Sequence, residues 1–183
     1  MNEMSSQPDF NFKILLLGNA AVGKTSLVQR FVHDRFDSSY LMTIGMEPSE
    51  KHVKLKEGTH VALSIWDLAG QERFRFIRHT FYKGAKAALL VFDLTREATL
   101  SDLKKWDKEF IDNCGSSVVK ILVGNKQDLK NQIAVSDKEC QETHKKLKSL
   151  HYIRTSALTG EQVDDAFTKI AELLVKLATK ELA

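Results

Sequence analysis

Eight residues near the N-terminus combine glycine, lysine and threonine at a spacing suited to phosphate binding. The run GNAAVGKT extends from Gly18 to Thr25, after the apolar stretch FKILLL and before SLVQRF. Glycines at both ends let backbone N–H groups wrap around phosphate oxygens, and the following helix adds a positive partial charge. Lys24 supplies an ammonium group for the outer phosphates, and the Thr25 hydroxyl can ligate Mg²⁺. The loop therefore indicates a nucleoside triphosphate and its metal ion.

A second cluster, WDLAGQE, begins at Trp66 and follows a strand-like segment. In a parallel sheet covered by helices, ligands bind beyond the carboxyl ends of the strands, where this cluster would lie. Asp67 can hold Mg²⁺ through a water molecule, and the backbone N–H of Gly70 can bond to a terminal phosphate. The side chain of Gln71 can orient an attacking water. Taken alone, the cluster is equally compatible with a polar turn at a strand end.

Two polar segments after later strands could recognise the base. In NKQD, the carboxylate of Asp128 can accept hydrogen bonds from the N1–H and the exocyclic amine of guanine, a pair that adenine lacks. The stem of Lys126 can lie along the base, and Asn125 can tie this loop to the phosphate loop. In the later TSAL segment, the backbone N–H of Ala157 can donate to the guanine carbonyl. The sequence therefore favours guanine over adenine.

Strand-like and helix-like segments alternate along the chain and would position these clusters. Ser136, with Glu139 three residues later, matches a capping box at a helix start, and Glu57-Gly58 is typical of a hairpin turn. Continuous apolar strands separated by helices predict a mostly parallel sheet with helices on both faces. In chain order, we predict strand 12–17, helix 25–32, strands 52–56 and 60–67, helix 74–82, strand 87–93, helix 100–113, strand 118–124, a helix from 136, strand 152–155 and helix 162–179.

Length and composition are those of one globular domain. The chain has 183 residues, 43% hydrophobic and 28% charged, with a formal net charge of +3. Because the lysines are scattered, this charge does not predict nucleic-acid binding. Cys114 and Cys140 lack metal-binding spacing, which favours a reduced, cytoplasmic setting. No apolar run approaches the roughly 18 residues of a membrane span. Residues 1–9 are polar and are expected to form a flexible tail.

The motifs together resemble those of the small GTPases of the Ras superfamily, and within it the Rab family most closely. GNAAVGKT, TIG, WDLAGQERF, FYKGA, LLVFDLT, GNKQD and TSAL occur in the family's order and at its spacing. The resemblance implies a GTPase domain over residues 10–179, followed by a C-terminal end at 180–183. Its implied fold is the α/β P-loop GTPase fold, with a six-stranded, mostly parallel sheet and five main helices. Its implied function is a switch that binds GTP or GDP with Mg²⁺ and slowly hydrolyses GTP, in Rab-like trafficking or signalling.

The resemblance also assigns residues that spacing alone does not. It makes Thr43 a second Mg²⁺ ligand beside Thr25, with Asp67 acting through water, and it places Phe36 against the guanine. The implied catalytic residues are Gln71, Lys24 and Thr43. The residues implied in nucleotide binding are Ala21, Val22, Gly23, Lys24, Thr25, Ser26, Phe36, Tyr40, Thr43, Gly70, Asn125, Lys126, Asp128, Ser156, Ala157 and Leu158.

Family resemblance further implies protein partners that bind two switch segments. An exchange factor, a GTPase-activating protein and effectors would act through residues 36–48 and 67–82, on a monomer that binds no nucleic acid. Rab proteins usually have an aromatic residue after TIG-x-D, but here Pro48 follows TIGME, so no particular Rab effector set is predicted. Pro48 also predicts an edge or irregular strand. The final residues LATKELA contain no cysteine, so no lipid anchor is predicted in this chain. Peripheral association with a membrane is compatible with the sequence but not encoded by it.

Three functions fit the phosphate loop. A GTP-hydrolysing switch is favoured because Gln71 and Thr43 are both present. The alternative is a non-hydrolysing nucleotide-binding scaffold or interaction protein, which a single-turnover phosphate-release assay would separate from a switch. A small-molecule kinase or an ATPase is disfavoured by NKQD and by the lack of an evident arginine-rich lid. With no arginine predicted to act within the domain, intrinsic turnover is expected to be slow.

Overall fold

A six-stranded sheet organises the chain. The computed structural model describes residues 7–38 and 42–181. The strands lie in the order β2-β3-β1-β4-β5-β6; β2 and β3 are antiparallel, and all other neighbours are parallel. The predicted α/β class with a six-stranded, mostly parallel sheet is confirmed. The strands are β1 (Phe10–Leu17), β2 (Met46–Lys54), β3 (His60–Leu68), β4 (Ala85–Asp93), β5 (Val119–Asn125) and β6 (His151–Arg154).

Helices connect the strands and include the five predicted from sequence. The long helix predicted at 100–113 is instead two helices that meet at Asp102, whose carboxylate accepts a hydrogen bond from Asn19 at 2.8 Å. Across the described ranges, no helix combines the length and apolar composition needed to cross a bilayer. The helices are α1 (Lys24–His33), α2 (Arg75–Tyr82), α3 (Glu97–Ser101), α4 (Leu103–Cys114), α5 (Asp137–Lys146) and α6 (Val163–Glu181), with single 3₁₀ turns at Glu72–Phe74 and Lys130–Gln132.

Strand β2 begins six residues earlier than predicted. Its sequence, MEPSEKHVK, has almost no apolar residues before Val53, so the alternation that marks a half-buried strand is missing from its first half. Pro48 lies opposite Trp66 in the ladder with β3. Because β2 is the outermost strand, a residue without an N–H can be accommodated there, as predicted from Pro48.

The sheet buries both of its faces. On β1, Ile14 and Leu16 pack towards one face and Leu15 and Leu17 towards the other, because successive side chains alternate across a strand. The first face packs against α1 and α6, including a stacked ring pair between Phe31 and Phe167 with centroids 4.1 Å apart. The second face packs against Tyr82 and α4. The prediction of helices on both faces is confirmed.

The carboxyl ends of the strands gather the four sequence clusters at one edge. In the parallel register Leu16 lies opposite Asp67, and Asp93 lies opposite Asn125. The phosphate loop, WDLAG, NKQD and TSAL therefore extend from neighbouring strand ends. At the other end of the chain's first strand, Asp9 exchanges hydrogen bonds with His60 at 2.8 Å. Residues 1–6 and 182–183 lie outside the described residues, so the predicted tail there stays a prediction.

The predicted capping box forms at the start of α5 and provides a stability test. The Glu139 N–H donates to Ser136 Oγ at 3.3 Å, and the Ser136 N–H donates to the Glu139 carboxylate at 2.9 Å. Ser136→Ala should lower the free energy of unfolding by about 1 kcal/mol, measured by urea denaturation, because one N-terminal donor of the helix loses its acceptor. The exposed Ser117→Ala should change it by less than about 0.5 kcal/mol. Equal effects of the two substitutions would contradict this assignment.

Candidate functional site

The loop between β1 and α1 is a tight backbone cradle. Gly23 has φ 97°, and a Cβ built there would lie 2.2 Å from Nδ2 of Asn125, so only glycine fits both the conformation and the space. Helix α1 then begins at Lys24 with no acidic residue in its first turn. The positive end of its dipole is therefore available to an anion, as a phosphate-binding loop requires.

The ammonium group of Lys24 is buried inside this loop. It donates to the carbonyl oxygens of Gly18 at 2.8 Å and Asn19 at 2.9 Å, and the residue is 6% exposed. Burial lowers the pKa of Lys24 to about 8, although the nearby Asp67 carboxylate opposes this shift. A phosphate group beside this nitrogen would favour its charged form. Lys24 thus lies within the predicted phosphate-binding loop, and its contact with a phosphate stays a prediction.

Three oxygen-bearing side chains converge below the phosphate loop. The hydroxyls of Thr25 and Thr43 lie 2.8 Å apart, Thr25 donates to Oδ2 of Asp67, and Thr43 lies 3.3 Å from the same oxygen. These are the three residues predicted to hold Mg²⁺, brought together from α1, the first switch segment and β3. Hydroxyl and carboxylate oxygens are the hard ligands that Mg²⁺ prefers.

Asp67 carries an unsatisfied buried oxygen that suits a cation. Within the described residues its Oδ1 has no hydrogen-bond partner, and the residue is 1% exposed. Burial raises the pKa of Asp67, even though Lys24, Thr25 and Thr43 act to lower it. A divalent cation, bound directly or through water, would satisfy the orphaned oxygen and favour the carboxylate. The residues therefore fit the predicted Mg²⁺. Within the described ranges, no group of three or more His, Cys, Asp or Glu side chains could hold a metal ion.

Asn125 ties three loops together at the end of β5. Its Nδ2 donates to the carbonyl of Val22 at 2.9 Å, and its Oδ1 accepts from the Thr155 hydroxyl at 3.1 Å and the Ala157 N–H at 3.2 Å. The predicted link between NKQD and the phosphate loop is therefore present. The Ala157 N–H, predicted to donate to a guanine carbonyl, donates here to Asn125, and its role in base binding stays a prediction.

The two charged residues of NKQD have specific partners. Oδ1 of Asp128 accepts from the Ser156 hydroxyl at 2.6 Å, which fixes the carboxylate relative to TSAL. The Lys126 ammonium lies 2.7 Å from Oδ2 of Asp93, at the end of the neighbouring strand β4. Both Lys126 and Asp128 line the groove described next, so a base could lie between them.

One groove of about 420 Å³ brings the clusters together. The predicted site residues that line it come from the phosphate loop, both switch segments, NKQD and TSAL. They are Ala21, Gly23, Lys24, Thr25, Ser26, Phe36, Thr43, Gly70, Gln71, Asn125, Lys126, Asp128, Ala157 and Leu158. Phe36 also lines the groove and is 38% exposed. We call the part of the groove lined by the phosphate loop its phosphate end and the part lined by NKQD and TSAL its base end.

Three of the predicted site residues that the structure describes do not line this groove. Val22 and Ser156 are fully buried. The backbone carbonyl of Val22 accepts from Asn125, and the hydroxyl of Ser156 donates to Asp128. Asp67 lines an adjoining cavity of about 230 Å³ beneath Thr25. Tyr40 lies outside the described residues, so its predicted contact stays a prediction.

The predicted catalytic glutamine lies at the phosphate end. Its side-chain Nε2 donates to Sδ of Met42 at 3.4 Å, which joins the two switch segments. The preceding Gly70 packs so closely on the phosphate loop that a Cβ there would lie 2.4 Å from the backbone nitrogen of Ala20. The close approach places the backbone of Gly70 beside the loop that would hold the terminal phosphate.

A buried arginine that the sequence did not reveal holds the backbone of Gln71. Arg78 is 2% exposed and forms two hydrogen bonds with the Glu109 carboxylate, at 3.0 and 3.1 Å. Its Nη1 donates to the Gln71 carbonyl at 3.1 Å, and its guanidinium stacks 4.3 Å from the ring centre of Trp106. Trp106 in turn donates to Oδ1 of Asn19 in the phosphate loop at 2.9 Å. Helix α4 therefore connects the second switch segment to the phosphate loop.

Sequence reasoning also missed residues that line or support the groove. Asp93, the last residue of β4, contacts Lys126, and Arg96, three residues later, contacts the phosphate loop, although the sequence gives no spacing rule for either residue. Arg78 and Glu109 are 31 residues apart, so their pairing has no local sequence signal. The unpredicted lining residues are Ala20, Asp37, Ser38, Met42, Leu68 and Leu129, each close in sequence to a predicted one.

Comparisons with known proteins agree with this geometry. The model of the Ras family matches residues 13–176, a range that contains all four clusters. Ras-related protein RABA5b of Arabidopsis thaliana is 40% identical over 174 residues, covering 95% of this chain and 79% of that protein. Ras-related protein RABA1a of the same plant is 38% identical over 172 residues, covering 94% and 79%. Ras-related protein Rab11D of Lotus japonicus is 37% identical over 172 residues, covering 94% and 78%.

The Arg78 pair yields a stability prediction. Arg78→Met should lower the free energy of unfolding by about 3 kcal/mol in urea denaturation, because Glu109 loses its charged partner in a mostly buried position. The matched control on the same helix is Arg75→Met, since Arg75 is 68% exposed and pairs with the exposed Glu72. That control should change stability by less than about 0.5 kcal/mol. Similar losses for both variants would show that the Arg78 pair does not stabilise the fold.

Proposed function

The chain belongs to the Ras family, and we propose that it is a guanine-nucleotide switch that binds GTP or GDP with Mg²⁺ and slowly hydrolyses GTP. One observation carries the proposal: a single groove is lined both by the predicted phosphate loop and by Asp128, whose carboxylate we propose reads the base. Its P-loop GTPase fold and its Rab-related relatives support the same function.

Guanine recognition would depend on the Asp128 carboxylate. Ser156 fixes one of its oxygens, and Asn125 fixes the loop that carries it against the phosphate loop. A base with two neighbouring donors would pair with this carboxylate, whereas adenine would leave it unpaired in a partly enclosed site. Lys126 and Phe36 would provide the surfaces along which the base lies.

Phosphate binding would depend on the loop backbone and on Lys24. The ammonium group, already held by two carbonyls, would move little to reach a phosphate oxygen. Thr25, Thr43 and Asp67 would hold Mg²⁺, which supplies charge neutralisation between the β- and γ-phosphates when bound. Thr43 would thereby make the position of the first switch segment sensitive to the nucleotide.

Hydrolysis would depend on Gln71 orienting a water molecule. Arg78 holds the Gln71 carbonyl, so the side chain extends from a fixed backbone. Within the described ranges no arginine lines the groove. Without an arginine to stabilise the charge that develops on the phosphates, we expect an intrinsic rate on the order of 10⁻⁴ to 10⁻² s⁻¹.

The proposed partners are an exchange factor, a GTPase-activating protein and effectors acting through residues 36–48 and 67–82. Large apolar side chains of both segments are exposed: Met42 at 56%, Ile44 at 77% and Phe76 at 72%. Exposed apolar side chains at this density favour a protein-binding surface. A monomeric state and a cytoplasmic location stay predictions from the sequence.

Hydrolysis can be tested at Gln71. Gln71→Leu should slow single-turnover phosphate release from GTP at least about tenfold, because the side chain orients water, and should leave GDP affinity nearly unchanged. The exposed Gln132→Leu, outside the groove, serves as the matched control and should retain the wild-type rate. No measurable release from the wild-type chain would instead favour the non-hydrolysing scaffold.

Base recognition can be tested at Asp128. In Asp128→Asn, one acceptor becomes a donor that faces the guanine amine, whereas xanthine offers a carbonyl at that position. The variant should lose GTP affinity and gain affinity for xanthosine triphosphate, with a change in preference of at least about tenfold in competition binding. Asp112→Asn, at an exposed position on α4, should keep the wild-type preference. A variant that still prefers GTP would mean that Asp128 does not read the base.

A further inference from the structure

Asp93, the last residue of β4, connects the two ends of the groove. It is 1% exposed, and its Oδ2 lies 2.7 Å from the ammonium of Lys126 and 2.9 Å from Nε of Arg96. Nη2 of Arg96 donates to the carbonyl of Ala20 in the phosphate loop at 3.2 Å. A single carboxylate oxygen therefore links the base loop to the phosphate loop.

The position of this carboxylate is fixed on all sides. Its other oxygen accepts from the backbone N–H of Thr95 at 2.9 Å and from the Thr95 hydroxyl at 2.7 Å. Burial opposes ionisation of Asp93, but the hydrogen bonds from Lys126, Thr95 and Arg96 together lower its pKa. Asp93 is therefore a charged anchor of fixed position between two loops.

Lys126 benefits most from such an anchor. Its backbone has φ 69°, in the left-handed region that a residue with a Cβ adopts only when its surroundings hold it there. Its side chain has many rotamers, and fixing it beside a base costs entropy unless it is already fixed before binding. The contact with Asp93 holds the end of this side chain while the stem lines the groove.

We propose that Asp93 and Arg96 are positioning residues that hold Lys126 and Ala20 in the nucleotide-binding arrangement and thereby slow nucleotide release. Neither Asp93 nor Arg96 lines the groove, so both act through the residues they contact. The inference rests on the proposed function, because it requires a guanine nucleotide that spans the two loops.

A purely structural role would have a different signature. Asp93 also closes the turn into α3 through Thr95 and Thr99, whose hydroxyl accepts from the Asp93 N–H at 2.9 Å. Loss of that turn alone would lower thermal stability without selectively accelerating nucleotide release. A matched control exists in the buried pair between Asp107 and Lys120, whose atoms lie 2.7 Å apart and which lines no part of the groove.

The experiment measures dissociation of a fluorescent GDP analogue from the full chain with Mg²⁺, chased by excess GDP. Asp93→Asn and Arg96→Gln should each accelerate release on the order of tenfold to a hundredfold, because each removes a charge-assisted link between the loops. Asp107→Asn should lower the melting temperature but leave the release rate within about twofold. Because the Arg96 side chain is 44% exposed, Arg96→Gln should fold even where Asp93→Asn does not.

The double variant and a conservative variant complete the test. If the two residues act through one link, Asp93→Asn combined with Arg96→Gln should release GDP more slowly than the product of the two single effects. Arg96→Lys should restore part of the retention, because a lysine keeps the charge but lacks the planar guanidinium whose separate nitrogens bond to Asp93 and Ala20. If Arg96→Gln released GDP at the wild-type rate, the inference would be overturned and the proposed function would stand. A wild-type chain that retains no GDP would overturn the proposed function, and the inference with it.

Discussion

The buried amide of Asn125 is the contact on which the groove depends. It donates to a carbonyl of the phosphate loop and accepts from two donors of TSAL. One side chain of the NKQD loop therefore joins that loop to two others from distant parts of the chain. The same side chain occupies the space in which a Cβ at Gly23 would lie. Gly23 therefore leaves room for the Asn125 side chain of NKQD as well as for the approach of a phosphate. A side chain of different shape at Asn125 would leave several buried polar groups unpaired, which is costly in an interior of low dielectric.

Near the phosphate loop, the Lys24 ammonium and the Asp67 carboxylate are both buried, and Oδ1 of Asp67 has no hydrogen-bond partner among the described residues. A bound phosphate and a bound cation would supply partners of opposite charge. Burial lowers the pKa of Lys24 to about 8 and raises that of Asp67, so burial disfavours the charged form of each group. A phosphate beside Lys24 and a cation beside Asp67 would each favour the charged form. The ligand and the fold would therefore stabilise each other, and the region should gain stability when the nucleotide binds.

Helix α4 forms the frame for the second switch segment. Asp102, which immediately precedes the helix, and Trp106 and Glu109 within it are spaced four and three residues apart, so they lie on the same side of it. Asp102 and Trp106 both bond to Asn19, and Glu109 holds Arg78 and accepts from the Tyr82 hydroxyl at 3.0 Å. Burial and the Glu109 carboxylate raise the pKa of Tyr82, so its hydroxyl remains a donor. The backbone of Gln71 is fixed by this frame, while Phe76 on α2 is 72% exposed.

The amino-acid sequence determined the features whose physics is local. The phosphate loop, the capping box at Ser136 and the buried strands depend on backbone conformation and on spacing along one segment, so they could be read from the sequence, as could the placement of the clusters at strand ends. The hydrophobic pattern failed where β2 has few apolar residues and where Asp102 divides a helix. Tertiary structure alone decided which charges meet: Arg78 with Glu109, and Asp93 with Lys126. Those pairs depend on the register of neighbouring strands and on how helices pack across the sheet. Sequence spacing encodes neither the strand register nor the helix packing, because the partners are brought together only when the whole sheet has formed.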